Sequence, residues 1–320
     1  MMGSGMDDPV LAVTIGDPCG IGAEVIVKAL ASGEVPGRTV LVGDAGVVRR
    51  ALDISHSRLQ IHAVRLFEEA QFRNGYVDVI DPGTLNAEDI TVGQVSPKCG
   101  QAVLAWEKVA TELARQKKIS AIVTGPVNVE AIGARTIATG NIYLLLITGP
   151  LRVVHLTDHI TLRQMLDEVR MDNLVSLIRL THRSLEGWGV AKPRIGVAGL
   201  NPHCKGPEEE QEIAPAVRKA VSEGINASGP IPPDTIFRYC IEGRFDCVVA
   251  LYHDQGHIPV KTWRFDGNSS IHLGMPYISM SVAHGSAFDI AGKGIADPKS
   301  MATTMKTAAM LGAGKGFPTG

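Results

Sequence analysis

Histidine side chains follow apolar, strand-like segments at four places along the chain. These four residues are His159, His203, His253 and His284. Ligands of parallel α/β sheets bind where the strands end, so histidines at such positions can converge on one site. Neutral imidazole is the commonest side-chain ligand of borderline metals, and a set that leaves coordination positions open can also accept a substrate. The pattern therefore indicates a metal site, with a hydrogen-bonded turn histidine as the alternative for each one taken alone.

Carboxylates and a lysine accompany these histidines. Asp254 follows His253, Asp289 follows His284, and Lys261 lies on the segment that leaves the His253 turn. A carboxylate beside an imidazole can orient it or can coordinate a hard cation, whereas Asp289 can also make local turn hydrogen bonds. Lys261 can bind an anionic substrate or act as an acid or base, and the alternative is a solvated surface lysine.

The elements that must position these side chains alternate in type along the chain. Apolar runs of strand length lie at 10–15, 39–42, 76–80, 119–123, 143–147, 151–156, 194–198 and 247–251. Apolar residues at helical spacing lie at 23–30, 45–52, 101–116, 163–171 and 173–185. This alternation predicts parallel sheets covered by helices on both faces. We expect an α/β chain of two lobes, one formed by residues 1–140 with 290–320 and one by residues 141–289.

The composition excludes several classes of protein. The 320 residues include 31 Lys and Arg, 33 Asp and Glu, and 45% hydrophobic residues. A chain this apolar is not disordered, and it lacks the basic excess of a nucleic-acid-binding protein. No apolar run approaches the roughly 20 residues of a membrane span, and the first residues have no signal-peptide pattern. The five cysteines are scattered without a CxxC pair, which predicts a reduced, cytoplasmic protein.

The usual fingerprints of nucleotide binding and serine hydrolysis are missing. Gly20 and Gly22 form a GxG pair after the first strand, but their spacing does not match the GxGxxG pattern of Rossmann domains, and neither a P-loop nor a GxSxG motif occurs. From these residues alone, the prediction is an α/β enzyme with a candidate metal site.

Five motifs resemble the 4-hydroxythreonine-4-phosphate dehydrogenase family. In chain order they are TIGDP with GIG within 14–22, TGPVN at 124–128, LNPH at 200–203, YHDQGHIPVK at 252–261 and HGSAFDIAGKG at 284–294. They occur in the order of the family across nearly the whole chain, and YHDQGHIP is long and specific. The chain is therefore identified as a member of this family.

This resemblance implies a two-lobed α/β/α fold similar to that of isocitrate and isopropylmalate dehydrogenases. It also implies a homodimer whose active site lies in the cleft between the lobes and is completed by the partner subunit. The implied cofactors are NAD or NADP and a divalent metal (Zn, Mg, Mn, Co or Fe). The metal would be held by His159, His203 and His253.

The resemblance also assigns the remaining site residues. Lys261 matches the substrate lysine of the family, and we assign Lys261 and Asp254 as catalytic residues. The nicotinamide cofactor is expected at the loop that follows residue 283. The residues expected to contact it are His284, Gly285, Ser286, Asp289, Gly292 and Gly294.

Two serines decide which substrate we expect. Ser270 and Ser279 stand where family members that act on phosphorylated substrates carry Asn and Arg, and an Arg fork is well matched to phosphate. Residues 151–157, LRVVHLT, resemble a side branch that oxidises and decarboxylates non-phosphorylated cis-dihydrodiols. We therefore expect an anionic dihydrodiol carboxylate such as terephthalate 1,2-cis-dihydrodiol. The expected substrate-binding residues are Asn141, Lys261, Ser270 and Ser279.

Other interpretations stay open at this point. The first is a 4-phosphohydroxythreonine or related sugar-acid-4-phosphate dehydrogenase. The others are a metal-dependent hydrolase or lyase that needs no nicotinamide, and a metabolite-binding module without turnover. The chain is also shorter than the family pattern near Asn141 and Cys204, where we favour residues missing from the sequence over true deletions.

Overall fold

The computed structural model describes residues 8–132, 142–264 and 266–318. The strands within these residues are β1 Val10–Thr14, β2 Arg38–Val42, β3 Gln60–Val64, β4 Tyr76–Ile80, β5 Ala121–Thr124, β6 Tyr143–Thr148, β7 Leu151–His155, β8 Ile195–Ala198, β9 Ala227–Ile231, β10 Cys247–Ala250, β11 Ser269–Leu273 and β12 Ile278–Val282. The α-helices are α1 Gly22–Ala31, α2 Ala45–Ile54, α3 Pro97–Arg115, α4 Val129–Ile132, α5 Leu162–Glu168, α6 Met171–Gly187, α7 Ala214–Ser222, α8 Ile236–Ile241, α9 His253–Trp263 and α10 Lys299–Gly312. Strands and helices alternate along the chain, and the α/β prediction is confirmed.

The chain forms two compact units. Unit 1 comprises the described residues of Met1–Thr136 and Pro276–Ala313, and unit 2 those of Ile137–Met275 and Gly314–Gly320. These boundaries differ from the expected ones at residues 276–289, which belong to unit 1 because β12 pairs in parallel with β5. They differ again at the end of the chain, because the ring of Phe317 packs within unit 2.

Unit 1 is built on six parallel strands in the order β3-β4-β2-β1-β5-β12. Every residue of β1 is buried, as expected for a parallel strand that is covered on both faces. Helices α3 and α10 pack against β1 and β5. Because β1 and β12 are both parallel to β5, the segments that follow them leave from the same edge of the sheet.

Helix α3 illustrates how the sequence specifies its elements. Ser96 is the N-cap, and its side chain accepts a hydrogen bond from the backbone N–H of Cys99, while Pro97 occupies the first turn. Val103 and Trp106 follow at helical spacing and are buried, and the indole N–H of Trp106 donates to Thr84 at 3.0 Å. The helix thus buries one face and satisfies the polar atom that this burial encloses.

Unit 2 is built on six strands in the order β11-β6-β7-β10-β8-β9. Strand β6 runs antiparallel to both β11 and β7, so the prediction of purely parallel sheets is wrong here. The reason is the two-residue turn at Gly149 and Pro150, where Gly149 has a φ of +54°. A connection this short can only join antiparallel neighbours.

The core of unit 2 lies between this sheet and helices α8 and α9. Both helices pack against β7 and β10. The buried residues that meet there are Leu146, Leu151, Val153, Ala198, Ile236, Phe237, Cys240, Val248, Ala250 and Val260. Among the described helices, none combines the length and apolar character that crossing a membrane requires.

Candidate functional site

Helix α9 of unit 2 positions three of the predicted site residues, His253, Asp254 and Lys261. His253 is its first residue, two residues after the preceding buried segment ends at Leu251, and Lys261 lies two turns further along. Buried Gln255 holds the start of this helix. Its side-chain carbonyl accepts the Leu251 N–H at 2.7 Å, and its amide donates to the backbone carbonyl of Gly199 at 2.8 Å. His253 is thus placed at the carboxyl end of β10, where ligands of such sheets bind.

His253 meets two residues that follow β7. One ligand atom from each of Asp158, His159 and His253 lies within 4.8 Å of the other two, and the two imidazole rings are 5.3 Å apart. Two imidazoles and a carboxylate are donors that suit Zn, Mn and Fe. The structure therefore contains a possible metal-binding triad, two members of which are predicted ligands.

The surroundings of the triad fit a cation. Oδ1 of Asp158 is buried and has no hydrogen-bond partner among the described residues, so this acceptor can serve a metal. Nδ1 of His253 lies 2.6 Å from Oδ1 of Asp254, which directs the proton to Nδ1 and leaves Nε2 as the ligand atom. Carboxylates orient metal-binding histidines in this way. Asp254, predicted as catalytic, contacts His253 in the structure.

Asp158 is the member of the triad that sequence reasoning did not single out. The residue was visible as a carboxylate next to the strand-end histidine His159. Two adjacent residues after a strand can point their side chains to the same ligand only if the backbone turns there. The sequence pattern does not show that turn. Judged only by residue type and by its position after β7, His159 was the expected metal ligand and Asp158 was not.

His203 does not join the triad among the described residues. It is exposed and lies in a tight turn, with a φ of +57°. Its role as a third metal ligand therefore stays a prediction.

Two other histidines of unit 2, His257 and His155, continue the cluster that begins at His253. The ring of His257 stacks on that of His253 with centroids 3.6 Å apart, and its Nδ1 donates to the backbone carbonyl of His253. Burial lowers the pKa of His257, and the neighbouring His253 charge lowers it further. His155 is almost fully buried, and desolvation lowers its pKa to about 3, so this imidazole is neutral.

The predicted substrate-binding residues fall in different parts of the chain. Ser270 is buried on β11 of unit 2, and Ser279 is half-buried on β12 of unit 1. Lys261 is exposed on α9. Asn141 lies outside the described residues. Their shared role in one site stays a prediction.

The predicted cofactor residues all lie in unit 1, in the segment that follows β12. They are His284, Gly285, Ser286, Asp289, Gly292 and Gly294. Gly292 and Gly294 have φ values of +74° and +71°, which glycine adopts without strain. Ser286 is buried, and its backbone carbonyl accepts the N–H of Ile21 at the start of α1. The segment thus lies against the helix that follows β1.

Comparison with known proteins defines the family. The family model described as "Pyridoxal phosphate biosynthetic protein PdxA" matches residues 36–308. A protein of Novosphingobium aromaticivorans, provisionally named 4-hydroxythreonine-4-phosphate dehydrogenase, is 45% identical over 97% of this chain and 96% of its own. The D-threonate 4-phosphate dehydrogenase of Cupriavidus necator is 39% identical over 95% of this chain and 97% of its own. The crystal structure of 4-hydroxythreonine-4-phosphate dehydrogenase from Klebsiella pneumoniae has a TM-score of 0.85 at 38% identity, covering 97% of this chain and 99% of that one.

The expectation of a non-phosphorylated dihydrodiol substrate is wrong. The terephthalate 1,2-cis-dihydrodiol dehydrogenase of Burkholderia xenovorans LB400 is more distant, at 32% identity and a TM-score of 0.69 over 95% of this chain and 98% of that one. The relatives at 39% and 45% identity are named for phosphorylated substrates. The argument from Ser270 and Ser279 failed because phosphate can also be bound by backbone N–H groups, lysine and metal ions.

The motifs, the fold and the comparisons lead to the same assignment. The family model spans well over half of the chain, and the relatives and solved structures match it almost from end to end. These relatives are named as dehydrogenases. The chain belongs to the PdxA family of pyridoxal phosphate biosynthetic proteins, a family of dehydrogenases.

Proposed function

We propose that this chain is a metal-dependent NAD or NADP dehydrogenase of a small phosphorylated hydroxy acid. The substrate would be of the 4-phosphohydroxythreonine or D-threonate 4-phosphate type, after the names of the relatives. The observation that carries the proposal is the triad of Asp158, His159 and His253, which lies at the start of the helix that also carries Lys261. A metal ligand set whose member His253 lies on the same helix as a lysine suits an anionic substrate that must be oriented for oxidation.

The triad would hold the divalent metal, and His203 is proposed as a further ligand. A bound metal would supply Lewis acidity that lowers the pKa of the substrate hydroxyl, and a bound nicotinamide would accept the hydride. Asp254 keeps the proton of His253 on Nδ1 and so presents Nε2 to the cation.

Lys261 would bind the phosphate or the carboxylate of the substrate. In the proposed reaction, the carbinol C–H bond would break with its hydride passing to a bound nicotinamide, the hydroxyl proton would be released, and the carbinol would become a ketone. When the ketone lies β to the carboxylate, the C–C bond to the carboxylate can then break: CO₂ leaves, the electron pair of that bond forms an enolate on the former ketone, and the enolate takes up a proton. We propose this decarboxylation as the second step.

The test follows NADH absorbance with each phosphorylated substrate and with its dephosphorylated counterpart. We expect turnover of a phosphorylated substrate that stops with chelator and returns with added metal. His253→Ala should abolish turnover, and metal binding by this variant should weaken in titration calorimetry. Metal-dependent turnover without reduction of any nicotinamide would instead support a hydrolase or lyase.

Lys261→Met tests how the substrate is bound. A hydrogen bond to a charged group contributes about 1.5–3 kcal/mol, so KM for the phosphorylated substrate should rise about 10- to 100-fold. Lys315→Met, an exposed lysine of the same unit, is the matched control. Equal KM values for Lys261→Met and the wild type would contradict the role of Lys261.

We also propose a homodimer that completes its active site across subunits. Two large apolar side chains on α9, Ile258 and Trp263, are 62% and 48% exposed, which supports contact with a second copy near Lys261. Sedimentation of the purified protein measures its mass, and a monomer at assay concentrations with full activity would contradict this proposal. The five cysteines are free thiols, which supports a cytoplasmic location.

A further inference from the structure

The segment after β12 has no helix or strand of its own between residues 283 and 298. It nevertheless carries all six residues proposed to bind the nicotinamide cofactor. A segment without a hydrogen-bonded ladder takes its conformation from contacts with neighbouring elements. The contacts that hold it therefore determine whether those six residues are ready to bind.

Two side chains of α1 bind the far end of this segment. Nζ of Lys28 donates to the backbone carbonyls of Gly294 and Ala296, both at 2.9 Å, and to Oε1 of Glu24 at 2.7 Å. The same Oε1 accepts the backbone N–H of Ala296 at 2.9 Å. An ammonium has three donors, and all three of Lys28 are used here. Glu24 and Lys28 together thus form a clamp that grips two carbonyls and one N–H of the segment.

The clamp is buried and its charges are matched. The side chain of Glu24 is 2% exposed and that of Lys28 is 20% exposed. A buried carboxylate is costly unless it is paired and hydrogen-bonded. Lys28 and the N–H of Ala296 supply both to Oε1 of Glu24, whereas Oε2 is buried and has no hydrogen-bond partner among the described residues. The two residues lie one helical turn apart on α1, so the helix fixes the spacing of their backbone positions.

Glycines make the close approach possible. A Cβ on Gly294 would lie 2.7 Å from the carbonyl oxygen of Ile54, and its φ of +71° disfavours other residues. At the near end of the segment, a Cβ on Gly20 would lie 2.7 Å from both Cβ and O of Ser286. The segment is therefore packed directly against backbone at both ends, with the clamp as its side-chain anchor.

We propose that Glu24 and Lys28 are positioning residues for cofactor binding, which they promote by holding residues 284–296 in the binding conformation. The inference rests on the proposed function, because it takes the segment as the nicotinamide site. Neither residue is proposed to touch the reacting atoms. If the clamp is lost, the segment samples other conformations, and the apparent Kd for the cofactor rises by the inverse of the competent fraction.

The experiment compares the wild type with the double variant Glu24→Gln/Lys28→Met. Changing both residues removes the two charges together, because Lys28→Met alone would leave a buried carboxylate without its cation. NADH and NADPH are titrated by fluorescence, and hydrogen exchange is measured on peptides that span 284–296. Lys219→Met is the matched control, since Lys219 also pairs with a glutamate four residues further on, Glu223, but lies on α7 of unit 2.

We expect Kd for the preferred nucleotide to rise about tenfold or more, with faster exchange confined to 284–296. KM for the nucleotide should rise in parallel, while kcat at saturating nucleotide and KM for the acid substrate stay near the wild-type values. A Kd within about twofold of wild type in a folded double variant would overturn the inference. A wild-type protein that binds neither nucleotide would overturn the proposed function itself, and the inference with it.

A second variant covers the case in which the double variant does not fold. Lys28→Arg keeps a cation beside Glu24 but replaces three convergent N–H donors with a planar fork of different reach. We expect a smaller rise in Kd and intermediate exchange of 284–296. Lys219→Met should behave like the wild type. If Lys28→Arg also shows wild-type Kd and wild-type exchange of the segment, the inference is overturned.

Discussion

Replacing Gly256 with alanine should destabilise unit 2, because helix α9 lies too close to β7 to admit a methyl group. A Cβ at this position would lie 2.2 Å from Nε2 of His155, 2.8 Å from its Cδ2 and 2.8 Å from Cγ1 of Val153. The imidazole cannot easily turn away, since its Nδ1 donates to the carbonyl of Leu144 at 3.0 Å and the side chain is 1% exposed.

Two opposing effects set the change in the free energy of unfolding of Gly256→Ala. Alanine has a helix propensity about 1 kcal/mol better than glycine, whereas an extra methyl group in a well-packed core costs about 1–3 kcal/mol. A contact of 2.2 Å is far inside the optimal carbon separation of about 3.5–4.0 Å, so the upper end of the packing cost applies. The net loss should be about 1–2 kcal/mol, which corresponds to a fall in Tm of roughly 2–8 °C.

A double-mutant cycle tests the assigned cause. Unfolding in urea is followed by circular dichroism for the wild type, Gly256→Ala, His155→Ala and the pair. Because His155→Ala removes the ring, Gly256→Ala should cost less in that background, with a coupling of about 1 kcal/mol or more. A loss that is equal in both backgrounds would refute the contact with His155. A variant more stable than the wild type would show that helix propensity outweighs packing.

Two further predictions concern buried groups of unit 1. Burial raises the pKa of the Asp17 carboxyl above its ordinary value of 3.8, so folding favours its protonated form and the resulting stability is lost as the pH rises through the folded pKa. Asp17→Asn should therefore raise the free energy of unfolding above that of the wild type at neutral pH, and calorimetry near pH 3 should find no such gain; a gain of equal size at both pH values would point to another cause. Cys19 and Cys99 are buried with their sulfurs 3.5 Å apart, and desolvation raises the pKa of Cys19 to about 12. A thiol reagent at neutral pH should therefore leave both unmodified in the folded protein and react in denaturant, and rapid labelling of the folded protein would contradict this burial.

Several features could be predicted from the sequence alone because they depend only on residues that are near one another in the chain. Period and spacing along the chain identified β1, α3 and most of the other early elements, since a buried strand and an amphipathic helix each show their own repeat. The run at 252–261 identified the family, because so long a set of chemical groups rarely recurs by chance. It also placed His253, Asp254 and Lys261 on one segment, and the structure shows that segment to be helix α9.

Reasoning from single residues failed to predict the substrate class. Ser270 and Ser279 lack the charge of the residues they replace, but phosphate binding is a property of a whole site. A missing arginine at one position therefore does not decide the class, and relatives at 45% and 39% identity are named for phosphorylated substrates.

Only the tertiary structure decided which distant residues meet. Asp158 joins His159 and His253 because β7 and β10 are neighbours in the sheet, and Lys28 reaches Ala296 across 268 positions of the chain. The two-residue turn after β6 fixes its direction relative to β7, but its pairing with β11 joins strands that lie more than 120 residues apart in the chain. Periodicity reports which face of an element is buried and carries no information about its partner, so these contacts appear only once the chain has folded.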